Sequence, residues 1–203
     1  MSFTLFGQMS KEDKFWNWFV KNEQIYYHQI ENLEVRESIF NDLSIRLFKI
    51  HSDLAFEFSP IHENGIREFT ISAEGLKEQF SIVEKLIDKA PSMEKWKFNA
   101  FRQRIPGDDM TIEYDNFKIG YADLFFRFTE KDNILGIELS IRNFKDDGET
   151  KNAIYILLDG LIGEYDVTMG IDWIEWIKLD ESIIEDLYPI TDLRTVLDNR
   201  KKK

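Results

Sequence analysis

Residues 54–90 read LAFEFSPIHENGIREFTISAEGLKEQFSIVEKLIDKA, and the period of the apolar positions changes once inside this stretch. Leu54, Phe56 and Phe58 alternate with Ala55 and Glu57, turn residues run from Pro60 to Gly65, and Arg67, Phe69 and Ile71 alternate again. Successive side chains of a strand point to opposite faces, so the two runs predict a β-hairpin with one apolar face. Beyond Ser72 and Gly75, Leu76, Phe80, Val83, Leu86, Ile87 and Ala90 fall on one helical face, and Pro91 cannot continue the helix. A hairpin that feeds a helix sets the class as α+β.

Two helices precede this unit. Ser10, with Asp13 three residues on, resembles a capping box, and Phe15, Trp16, Phe19, Val20 and Glu23 follow at helical spacing, predicting a helix from Lys11 to Ile30. Trp16 and Trp18 cannot share one helical face, so one of them lies nearer the surface. Val35, Ile39, Leu43, Leu47 and Ile50 form an apolar stripe that predicts a second helix from Leu33 to Ile50.

Toward the C-terminus, Trp96 to Arg104 alternates as a strand that carries Arg102 and Arg104 out of the core at its rim. Leu124, Phe126 and Phe128 pair across the turn Glu130–Asn133 with Leu135, Ile137, Leu139 and Ile141 in a second hairpin, whose other face bears Asp123, Arg127, Glu138 and Arg142. Phe144 to Lys151 reads as a charged loop tipped by Asp146-Asp147-Gly148. Ile154, Leu157, Leu158, Leu161 and Ile162 suit a short helix ended by Gly163, with a strand as the alternative. Ile171 to Leu179 predicts a strand with Trp173 and Trp176 on opposite faces, and Leu193 to Asn199 a closing helix. Together these predict one α+β domain over 1–203: an antiparallel sheet of about five to seven strands, with the N-terminal helices and a ββα unit on its apolar face and a loose basic tail at 200–203.

Composition narrows the function classes. The absence of cysteine removes disulfides, thiolate nucleophiles and cysteine-ligated metal centres. The chain's start lacks a basic region and an apolar run of signal length, and no apolar run approaches a membrane span, so a cytoplasmic address is expected. A net charge of −12 argues against nucleic acid, whose affinity comes from basic groups displacing phosphate counterions. That charge is concentrated: residues 159–192 hold ten carboxylates against the single base Lys178.

No phosphate-binding glycine loop and no nucleophile elbow is present. His28, His51 and His62 have no metal-ligand spacing, and Asp146-Asp147-Gly148-Glu149 lacks the spaced ligands of a calcium loop, so neither a cofactor nor a metal is expected. If Glu164-Tyr165-Asp166 is extended, its two carboxylates share one side. They read as a solvated turn, as an acid–base pair, or as partners of Arg102 and Arg104 in ion pairs at the sheet rim.

Trp16-Asn-Trp18-Phe19, Ile71-Ser-Ala-Glu-Gly75, Trp96 to Arg104 and Leu157 to Asp166 resemble phrases of uncharacterised bacterial protein families of unknown function, over most of residues 16–166. The resemblance implies a bacterial cytoplasmic setting and carries no activity, ligand or catalytic residue.

Two functions remain open. One is a protein-interaction module, an inhibitor or immunity-type protein, that meets a basic partner through Asp172, Trp173, Glu175, Trp176, Asp180 and Glu181; the same face could also serve solubility alone. The other is a small-ligand binder or enzyme using Arg102, Arg104, Glu164 and Asp166.

Overall fold

Helix α1 (Lys11–Gln29) starts where Ser10 and Asp13 satisfy each other's backbone N–H groups, the capping box expected from the sequence. In the computed structural model, which describes residues 9–114 and 117–202, the chain divides into two compact units, Met1–Phe101 and Arg102–Lys203. Each has its own apolar cluster.

In the first unit α1 is followed by α2 (Leu33–Phe48), β1 (Ala55–Phe58), β2 (Arg67–Ser72), α3 (Phe80–Ile87) and β3 (Trp96–Ala100). The hairpin β1–β2 is antiparallel as predicted, but β3 joins β2 in parallel, with Phe69 beside Phe98. The helix predicted from Leu76 to Ala90 is a short 3-10 turn, Lys77–Gln79, leading into α3.

Register puts Phe56 and Phe58, Phe69 and Ile71, and Trp96 and Phe98 on one face of this sheet. All three helices cover that face. Trp16 and Phe19 of α1 meet Phe69 and Phe98 edge-on or tilted, Phe40 of α2 meets Phe56 and Phe58, and the Trp16 indole N–H donates to the Leu86 carbonyl of α3 at 2.6 Å. Trp16 is buried and Trp18 is half-exposed, the division that their spacing requires. The strand predicted as Trp96–Arg104 ends at Ala100, because Phe101 turns at φ 66° and its N–H donates to the Ile71 carbonyl. Arg102 and Arg104 therefore leave the strand and open the second unit.

That unit holds the hairpin β4 (Thr111–Tyr114) and β5 (Phe117–Gly120), then β6 (Leu124–Lys131), β7 (Ile134–Ile141), α4 (Gly148–Ile162), α5 (Glu164–Gly170), β8 (Trp173–Lys178), the two-residue β9 (Tyr188–Pro189) and α6 (Leu193–Arg200). Asp132 and Asn133, both with positive φ, close the predicted β6–β7 hairpin. The second sheet runs β8-β7-β6-β9, with β8 parallel to β7. A single antiparallel sheet is thus replaced, among the described residues, by three sheets of three, two and four strands containing two parallel pairings. Both parallel strands are reached through helical crossovers, which is how parallel neighbours are connected.

Leu124, Phe126, Leu135, Ile137, Leu139 and Ile141 pack against Ile154, Leu157, Leu158, Leu161 and Ile162 of α4. Asp146-Asp147-Gly148 is no loop tip: Asp147 is the N-cap of α4 and accepts the Thr150 N–H at 2.8 Å, a bond that holds its carboxyl below the usual range. Asp147→Ala should lower stability, read as an earlier midpoint in denaturant unfolding. Of the basic end read as loose, Arg200 closes α6 and donates to the Asn133 carbonyl, while Lys203 lies outside the described residues.

Candidate functional site

Two groups of charged residues in the second unit bear on function. The first contains Arg102, Arg104, Glu164 and Asp166. Glu164-Tyr165-Asp166 is not extended: Gly163 turns at φ 87° and the three residues start α5. A side chain at 163 would be strained by that φ, and its Cβ would stand 3.4 Å from the Arg102 carbonyl.

Around this turn the backbone of Arg102 is gripped twice. Its N–H donates to Glu164 Oε2 at 3.1 Å, and its carbonyl accepts the Glu164 N–H at 3.0 Å. The Arg102 guanidinium reaches Asp159 at 3.3 Å. Arg104 donates through Nε to the Ile162 carbonyl and through its two terminal nitrogens to Asp166 and Asp198, at 2.9 and 2.8 Å. Lys201 adds a 2.6 Å bond to Asp166. Burial alone would lower the Arg104 pKa, but the hydrogen bonds to Asp166 and Asp198 outweigh it and raise it.

Glu164 is fully buried and Asp159 and Asp166 nearly so. Each carboxylate is matched by a cation or an N–H donor, as buried charge requires. The structure brings together the four residues named from sequence, and it adds Asp159, Asp198 and Lys201. Two clefts of about 190 and 200 Å³ among the described residues are lined by none of the four. This is the geometry of a brace that ties the 102–104 segment to the α4–α5 turn.

The second group lies along β8. With three of the ten carboxylates of 159–192 drawn into the brace, the exposed ones are Asp172, Glu175, Asp180, Glu181, Glu185, Asp186 and Asp192. β8 is an edge strand: β7 pairs with one side of it, and among the described residues no strand pairs with the other. Trp176 faces the core, packed by Phe144 and Tyr155, with the Lys151 ammonium over its ring. Trp173 faces the opposite way and is 43% exposed. Its indole lies over Gly136 of β7, so close that a Cβ there would stand 1.7 Å from the ring. Glycine at 136 therefore sets the height at which Trp173 rests.

Next to Trp173 on this face, Arg127, Glu138 and Glu175 form a row across β6, β7 and β8. Comparison with protein-family models, with curated proteins and with solved structures gives no match to this chain. Asp172 accepts the Leu135 N–H at 2.7 Å, Asp180 caps the 3-10 turn at Ser182, and Glu181 pairs with Arg142. Glu175 makes no such bond among the described residues and is exposed two positions from Trp173 on the same face. The sequence could place Trp173 and Trp176 on opposite faces, but it could not show that their strand is an edge. Among the described residues no three His, Asp or Glu side chains gather to hold a metal, and no helix is long and apolar enough to cross a membrane.

Proposed function

We propose that the chain is a protein-interaction module, of the inhibitor or immunity type, whose basic partner docks along the open edge of β8. The observation that carries this reading is the exposed Trp173, seated on Gly136 between Asp172 and Glu175 at a strand edge with no neighbour among the described residues. An open edge offers unpaired N–H and C=O groups to an extended segment of another chain. Tryptophan is a preferred hot-spot residue, because it buries a large area at a small cost in conformational entropy. The exposed carboxylates favour a positively charged partner and speed the encounter. The bacterial cytoplasmic setting implied by the resemblance agrees with such a role.

Immobilised wild-type protein and the variants Trp173→Ser and Glu175→Lys should be compared for capture from host lysate at low and high salt. The reading predicts a basic protein retained by wild type at low salt, released by high salt and lost from both variants. Identical retention by all three proteins would overturn it.

A further inference from the structure

In the first unit α1 and α2 border a cleft of about 200 Å³ whose polar groups are all cationic: Lys11, Lys14, Arg46 and Lys49. Phe15 and Trp18 form its aromatic wall, with ring centres 6.1 Å apart. On a chain of net charge −12, four like charges gather around one small space, and of these Arg46 is paired, with Asp42.

The cations are held in different ways. Lys11 Nζ donates to the Ile50 carbonyl at 2.6 Å, which fixes it at the cleft wall. The Arg46 guanidinium lies over the Trp18 ring, 5.1 Å from its centre. Its Nε is buried without a hydrogen-bond partner, although it forms an ion pair with Asp42 at 3.6 Å. Among the described residues the ammonium groups of Lys14 and Lys49 make neither an ion pair nor a hydrogen bond, and both side chains are exposed. Lys11 and Lys14 are three residues apart on one helix, and Arg46 and Lys49 are three apart at the end of the other, so each pair converges on the same side.

We propose that this cleft binds a small aryl anion, its charged group held by Lys14, Lys49 and Arg46 and its ring lying against Trp18 and Phe15. The cleft is smaller than the roughly 300–1,000 Å³ of pockets for drug-sized ligands, so a single ring with one anionic group is the size that fits. Neither half of the ligand suffices: a bare anion leaves the aromatic wall wet, and a neutral ring leaves the ammonium groups of Lys14 and Lys49 unpaired.

Titration of the full chain with phenyl phosphate and with benzoate, followed by calorimetry and by the thermal midpoint, tests the assignment; inorganic phosphate and benzyl alcohol are the controls. At least one aryl anion should bind saturably, at least tenfold more tightly than either control. Its affinity should fall with added salt, and by about tenfold or more in the Lys14→Gln/Lys49→Gln double variant, whose exposed positions leave the core untouched. The proposal is overturned if neither aryl anion saturates, if inorganic phosphate binds as tightly as phenyl phosphate, or if wild-type affinity is insensitive to salt. Unchanged binding by the double variant would overturn it as well.

Discussion

An alanine at position 19 is expected to cost the first unit about 3–5 kcal/mol, the range for truncating a fully buried aromatic ring. Phe19 is completely buried and meets the rings of Trp16, Tyr26, Phe69, Trp96 and Phe98 at centroid distances between 5.0 and 5.5 Å. Those rings come from α1 and from two strands of the sheet, so their mutual packing leaves little freedom to collapse into the space. Whole-domain stabilities are only about 5–15 kcal/mol, and such a loss leaves this unit close to its unfolding threshold. Guanidinium unfolding of Phe19→Ala against wild type measures it. A loss below about 1 kcal/mol would mean that the ring is not the centre of the core.

The second large effect is expected at Glu164. Removing its carboxylate strips the acceptor from the Arg102 N–H and the negative charge from the buried side of the brace. Glu164→Ala should cost about 3 kcal/mol, because the Arg102 N–H is left without its acceptor inside the packed turn. Glu164→Gln keeps an oxygen at the same place and should cost less than half as much. If the two variants are equally stable, the carboxylate is not holding the turn, and a role for it outside the brace regains ground.

Much of this was legible locally. The Ser10–Asp13 cap, the alternation around Phe56 and Phe69, and the opposed faces of Trp173 and Trp176 each follow from a few adjacent residues. The parallel pairings of β3 with β2 and of β8 with β7 were not legible, since alternation fixes which face is apolar and says nothing of the neighbour across a helical crossover. The helical conformation of Glu164 to Asp166 was not legible either, because the helix there is only seven residues long and is set by the left-handed turn of Gly163 rather than by an apolar stripe. Ion pairing between Arg104 and Asp166 was among the sequence readings; Asp198 and Lys201 join them only because α6 folds back, which no spacing reveals. The β4–β5 pair did leave a signal, in the alternation of Ile112 and Tyr114 and of Phe117 and Ile119. So did the cationic cleft, in the three-residue spacings of Lys11 with Lys14 and of Arg46 with Lys49.

The interaction surface is the central claim, and cross-linking from its anchor tests it most directly. A photoreactive phenylalanine analogue would replace Trp173 in the host, with the same analogue at Tyr188, half-exposed on β9 at the opposite edge of the sheet, as the control. A covalent adduct with a basic protein from position 173, much weaker or absent from position 188, is the predicted result. No adduct at 173, or equal adducts at both positions, would contradict the assignment of β8 as the docking edge.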